Sequence, residues 1–303
     1  MKIAIIDKKD IELRLENSAI KYEEHTIPFR LMDMLVLNHR TTLHTKDILK
    51  LTKEGISILI ISHNNDNFSI IQSANTKNAD LKLAQYNSLQ HSLKFARYFI
   101  HHKIVSHKEQ LEANDIAVDI SKELSQVQNA SSIDELMGIE GSFAREYFKH
   151  FFTLLPRDMH KNKRTKRPPL DPVNAMLSYW YSLYYNIITI RLISYGFEPS
   201  MGYLHTPFRS HNALASDILE LFRASINQAV LALFKSELLS KDDFTKKGGV
   251  YLKYEGRKKV WSEFVALVDT LKADLDREIS TIKRKIYETD TNAQKSKNQT
   301  KDI

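Results

Sequence analysis

The chain has 303 residues, 42% hydrophobic and 27% charged, the make-up of an ordinary globular protein with room for one large domain or two moderate ones. It contains no cysteine, which excludes disulfides, thiolate zinc sites and cysteine nucleophiles. The net charge of +7 lies almost wholly beyond residue 78 and favours polyanionic partners such as nucleic acid.

Met1–Asp7 is a short apolar run ended by charge; it reads as a strand, not a secretory signal. Ile11–Leu15, Ala19–Tyr22, Thr26–Phe29, Ile56–Ser62 and Phe68–Ile71 follow as strands, with one short helix between Thr45 and Thr52. From about Asn78 the period changes to that of long helices: Asp80–His102, Ile116–Val127, Ile133–Phe152, Pro172–Tyr195, Asn212–Ser236 and Arg257–Tyr287. Ser132 and Glu135 resemble a capping box, and Asp171-Pro172 supplies an N-cap followed by proline at the first helical position. Gly196 is a natural stop for that helix. The most apolar stretch, Met176–Tyr195, carries Ser178, Asn186, Thr189 and Arg191 and is too polar to span a bilayer, so no membrane role and a cytoplasmic location are expected. Residues 289–303 are polar and are expected to be a disordered tail. The predicted class is α+β: a small β-rich, sandwich-like domain over 1–78, serving dimerisation, and a larger all-helical catalytic domain over 79–288.

Within the Ile133–Phe152 helix, Glu140 has Leu136, Met137, Phe143 and Ala144 as its three- and four-residue neighbours, so a carboxylate shares the apolar stripe. An unpaired charge there costs several kcal/mol, and a metal ion is one compensation. On the Asn212–Ser236 helix, Ala213, Asp217, Glu220 and Ala224 form a second strip, opposite Ala215, Leu219, Phe222, Ile226, Ala229 and Leu233. An acidic pair so spaced usually points to solvent, yet alanines rather than long polar residues flank it. His205 lies in a turn between Gly202 and Pro207. Glu140, His205 and Glu220 together offer two carboxylates and an imidazole, a set suited to Mg2+ or Mn2+; spacing alone does not make them converge.

Leu136-Met137-Gly138-Ile139-Glu140-Gly141, Asp171-Pro172-Val173-Asn174-Ala175, Gly202-Tyr203-Leu204-His205 and Ala215-Ser216-Asp217-Ile218-Leu219-Glu220 resemble, in order and spacing, the motifs of the CRISPR adaptation integrases. The segment from Pro207 to Asp217 looks like one subgroup of that family. The resemblance implies Glu140, His205 and Glu220 as ligands of Mg2+ or Mn2+, with Asp217 as an acidic residue supporting catalysis beside them. It implies a metal-dependent DNA endonuclease and integrase, in which the 3′-hydroxyl of a captured DNA fragment attacks a phosphodiester at a CRISPR repeat end. Its implied partners are double-stranded DNA, both captured fragment and repeat, a second copy of the chain as a homodimer, and a small ferredoxin-like adaptation protein in a larger complex.

Basic residues crowd one interhelical loop, Arg157, Lys161, Lys163, Arg164, Lys166 and Arg167, a run that suits a solvated linker as well as a DNA contact. Arg257–Lys259 and Lys283–Lys285 add two further runs. Tyr179, Trp180, Tyr181, Tyr184 and Tyr185 read as helix core before a base-stacking platform. Asn174 fits a helix-packing hydrogen bond as well as a substrate contact. Two rivals stand beside the integrase: a non-catalytic DNA-binding module with structural acidic residues, and a metallohydrolase acting on small phosphates.

Overall fold

A computed structural model describes residues 2–38, 40–62, 68–74, 78–206 and 211–299, with side chains to residue 290. Part of the subgroup-like segment, 207–210, lies outside the described residues.

The N-terminal region is built from β1 (Ile3–Ile6), β2 (Ile11–Glu12), β3 (Arg14–Glu16), β4 (Ala19–Tyr22), β5 (His25–Pro28), β6 (Met34–Leu37), β7 (Thr41–Thr42), α1 (Thr45–Lys53), β8 (Ser57–Ile61) and β9 (Phe68–Ile71). β6 escapes the pattern-based reading because its run Met-Leu-Val-Leu does not alternate. All four residues are buried, as in a strand covered on both faces. One sheet runs β1-β6-β8-β9, with parallel pairs β1–β6 and β6–β8 and an antiparallel edge at β9. Parallel β6 and β8 require a crossover, which α1 supplies. The register sets Leu35 beside Ala4 and Ile58. A second, antiparallel sheet, β3-β4-β5, and the parallel pair β2–β7 complete the strands. Ile6, Leu13, Ile20, Leu35, Leu51 and Ile58 form the core.

The helical region contains α2 (Ala79–Ser88), α3 (Ser92–Glu112), α4 (Ser121–Asn129), α5 (Ile133–Thr153), α6 (Pro172–Tyr195), α7 (Ala213–Lys235), the hairpin strands β10 (Phe244–Lys246) and β11 (Val250–Leu252), and α8 (Tyr254–Gln299). It is therefore helical apart from one short hairpin. The caps of α5 and α6 form as the sequence predicts, with one shift. Ser132 Oγ accepts from Glu135 N at 3.2 Å, while Glu135 reaches back to the amide of Ser131, not of Ser132. Asp171 accepts from Asn174 N at 2.8 Å, and Gly196 closes α6 at φ +91°.

Three differences from the sequence reading have physical reasons. The single helix expected over 80–102 is two, separated by a 3-10 turn at Leu89–His91. Ser88, whose hydroxyl bonds Gln85 O and the Tyr203 hydroxyl, ends the first. The second continues to Glu112, because the polar residues that interrupt its apolar period (Lys103, His107 and Gln110) are buried and find partners inside the fold. The tail expected to be disordered from 289 is helical to Gln299 as an extension of α8, and Thr289 is still buried, its hydroxyl bonded to Lys285 O.

The chain divides into one unit of Met1–Lys77 with Trp261–Lys272 and another of Asn78–Val260 with Ala273–Ile303. The start of the α8 apolar stripe thus belongs with the N-terminal strands, where Trp261 Nε1 donates to Asp7 Oδ2 at 2.9 Å. At 46 residues, roughly 69 Å long, α8 exceeds what one core needs. Among the described residues no helix is long and apolar enough to cross a membrane.

Candidate active site

Three helices bring charge into the interior of the helical unit. α7 packs on both α3 and α6, so its acidic strip faces inward. This corrects the solvent-facing reading of that pair: Asp217 is 0% exposed and Glu220 4%. From α5, Glu140 sits at the margin, with its side chain 19% exposed; Leu136 and Phe143 beside it are buried while Met137 is open to solvent. From α3, Lys103 is 5% exposed, and its ammonium pairs with both Glu140 Oε1 and Glu220 Oε2. Arg223, one turn after Glu220, places Nε 2.8 Å from Glu220 Oε2.

The cluster holds its charges firmly. Burial opposes the ammonium of Lys103, but Glu220 and Glu140 outweigh it and raise its pKa above the usual lysine value. Burial likewise pushes Glu220 upward, but Arg223 and Lys103 reverse this and hold its carboxyl well below the ordinary range. Behind the cluster a chain of hydroxyl and amide groups fixes the guanidinium. Arg223 lies over the Tyr181 ring at 4.4 Å, Tyr181 OH donates to Asn227, Asn227 donates to Tyr147 OH at 2.8 Å, and Tyr147 OH donates to Gln110 at 2.9 Å. His107, buried against Tyr147, donates from Nδ1 to Lys103 O at 2.7 Å.

His205 is set by Asp217. The Asp217 carboxylate accepts the backbone amides of Tyr203 (2.6 Å), Leu204 (3.1 Å) and His205 (2.9 Å), and lies 2.8 Å from His205 Nδ1. A carboxylate only accepts, so Nδ1 carries a proton, and in the neutral imidazole Nε2 is the nitrogen left with a lone pair for a ligand. Gly202 makes this wrap possible: a Cβ there would lie 2.7 Å from Ala213 and 3.0 Å from Asp217 Oδ2.

Glu140, His205 and Glu220 line one cavity of about 660 Å3 together with Lys103 and Arg223. The basic loop contributes to its lining: Lys163, Arg164 and Lys166 line it, while Arg157, Lys161 and Arg167 are exposed and do not. Asn174 explains the loop's shape. Fully buried, it accepts from Arg164 Nη1 (2.9 Å) and Thr165 N (3.0 Å) and donates to Lys163 O (2.8 Å) and Asp171 (2.7 Å). Its amide is spent on the loop. Among the other candidates, Arg257 is buried, Lys259 pairs with Asp243, and Lys258 with Glu255. Trp180 and Tyr184 are fully buried, so the aromatic run is mostly core.

Lys103, Arg223 and Tyr181 are the site residues that sequence reasoning passes over. Arg223 had a signal, since three residues past Glu220 puts it on the acidic face. Lys103 had none. For a divalent ion the donor types fit: two carboxylates already converge on one cation, and an oriented imidazole faces the same cavity. The spacing, however, is that of an ammonium site, and among the described residues no three His, Asp or Glu side chains are grouped closely enough to hold a metal.

The family described as CRISPR associated protein Cas1 matches residues 3–266. A relative from Thermodesulfovibrio yellowstonii, the CRISPR-associated endonuclease Cas1 1, is 32% identical over 311 residues, covering 95% of this chain and 98% of the relative. Two solved structures share the fold: a Cas1 protein from Thermotoga maritima (TM-score 0.86, 20% identity, 95% of this chain and 97% of its own) and a casposase bound to integration product (TM-score 0.84, 21% identity, 96% and 91%). Motifs, architecture and end-to-end similarity agree: the chain belongs to the Cas1 family of CRISPR-associated proteins.

Proposed function

We propose that this protein is a divalent-metal-dependent DNA endonuclease and integrase that inserts captured DNA fragments at CRISPR repeat ends. The observation that carries the reading is the meeting of Glu140, His205 and Glu220, from three distant stretches of chain, on one cavity walled by Lys163, Arg164 and Lys166. Glu140, Glu220 and Nε2 of His205 would hold Mg2+ or Mn2+. When bound, the ion supplies charge neutralisation at the scissile phosphate and helps ionise the attacking hydroxyl.

The chain's own residues do the rest. Asp217 keeps the His205 tautomer and orientation fixed. The loop basic groups, shaped by Asn174, offer positive charge to the DNA backbone, where they position rather than read sequence. In the reaction the 3′-hydroxyl forms a new phosphorus–oxygen bond, the bond from that phosphorus to the 3′-oxygen of the nucleotide flanking the repeat breaks, and the hydroxyl proton ends on the departing oxygen or on solvent. Water as attacker gives nicking instead. Family membership supports action as a homodimer with a small ferredoxin-like partner protein, in the cytoplasm.

A second reading has its own observation. The ion pairs of Lys103 with Glu140 and Glu220 would also suit a DNA-binding module whose acids are structural. Strand transfer into a repeat-containing plasmid, run with the small partner in Mn2+ and in EDTA, separates the two. Glu140→Gln, His205→Ala and Glu220→Gln should each lower transfer and nicking at least a thousandfold while DNA retention changes less than threefold. Normal transfer by these variants, or transfer in EDTA, overturns the catalytic reading.

A further inference from the structure

Lys103 has no place in the motif set and none in the proposed chemistry, yet it occupies the centre of the site. Its side chain is 7% exposed, and its ammonium touches the carboxylates of α5 and α7 at once. With Arg223 on Glu220, two acids and two bases make the cluster electrically neutral as it stands. A dication entering beside an ammonium meets a repulsion that reaches several kcal/mol at about 4 Å under an effective dielectric near 20. Conversely, two carboxylates held this close and this deep without any cation would repel one another and pay for desolvation. Arg223 engages Glu220 alone; the cation that touches both acids comes from α3.

We infer that Lys103 is a built-in counter-ion that holds Glu140 and Glu220 together in the metal-free protein and competes with the divalent ion for the same two carboxylates. Lys103 is thus a positioning residue: it keeps the acids converged across three helices and must withdraw from them when metal loads. Metal affinity is set below what the carboxylates and imidazole alone would give. This inference rests on the metal-site reading above.

Mn2+ binding to the full chain, measured by titration calorimetry, with thermal melts in EDTA and in saturating Mn2+, tests it on wild type, Lys103→Met, Lys103→Arg, Glu140→Gln and His205→Ala. Methionine keeps length and volume without charge. Lys103→Met is expected to bind Mn2+ at least tenfold more tightly than wild type and to show a larger Mn2+-dependent rise in Tm; Lys103→Arg, which keeps the charge, binds no more tightly than wild type. A purely structural lysine gives the opposite pattern: Lys103→Met melts lower and Mn2+ does not restore it. That pattern, a variant that stays unfolded even in saturating Mn2+, or equal affinities for wild type and Lys103→Met would each overturn the inference. If Glu140→Gln weakens binding while Lys103→Met matches wild type, only this inference fails. If Glu140→Gln and His205→Ala both bind Mn2+ as wild type does, the metal-site reading itself fails.

Discussion

The two units of this chain handle charge in opposite ways. In the N-terminal unit the buried side chains are mostly apolar, with Asp47 the one buried acid among the described residues, and ion pairs such as Arg40–Asp10 and Lys8–Glu23 lie between exposed side chains. In the helical unit Lys103 and Glu220 are buried and paired, and Asp217 is buried against His205 and three backbone amides. Exposed pairs exchange one set of solvated contacts for another and contribute little. Buried ones are costly to assemble and costlier to break singly, because the survivor is left as an uncompensated charge. A protein tolerates that arrangement where something other than stability requires it, and here it coincides with the cavity.

The effects of single substitutions in each unit should differ in size accordingly. The largest effect should come from Asp217→Ala, which strips the acceptor from three backbone amides and from His205. A loss of about 3–5 kcal/mol is expected from urea unfolding, and a loss below 1 kcal/mol would show that the wrap around Asp217 is not what holds the turn. In the apolar unit, Leu35→Ala removes a fully buried side chain from the central strand. It should cost about 2–5 kcal/mol by the same measurement, with no dependence on salt. A strong salt dependence would contradict an apolar core there.

Acid should act on the helical unit before the strands. Burial foremost, and then the Lys103 ammonium, push the His107 pKa down to about 3 from the usual 6.5. The unfolded chain therefore binds a proton that the folded one refuses, and stability falls as pH drops from 6.5 toward 3, by up to roughly 1.4 kcal/mol per pH unit from this group. His107→Phe should flatten that part of the pH–stability curve; an unchanged slope would remove His107 as its source. The smallest effect belongs to the surface: Arg40→Ala should leave the denaturation midpoint unchanged within error, and a clear shift would mean that exposed pairs matter in this unit after all.

Much of the fold is legible along the chain because it depends on near neighbours. The caps at Ser132, Asp171 and Gly196, the lengths of α5, α6 and α7, and the change from strand to helix near Asn78 all follow from residues within a few positions of each other. β6 is missed because a strand buried on both faces shows no alternation. The continuation of α3 is missed because polar residues on a buried face look like the end of a helix. Glu140, His205, Asp217 and Glu220 stand out as a candidate set through motif order.

By itself, then, the sequence determined the class of fold, the ends of α5, α6 and α7, and the acids and imidazole that could serve one site. Tertiary structure alone decided what faces them. Lys103 lies 37 residues from Glu140 and 117 from Glu220, and Asn174 shapes a loop that no local pattern ties to it. The physical reason is that helix and strand periods act through covalent neighbours, whereas charge pairing and desolvation act through space, on whatever side chains packing happens to bring within a few ångströms.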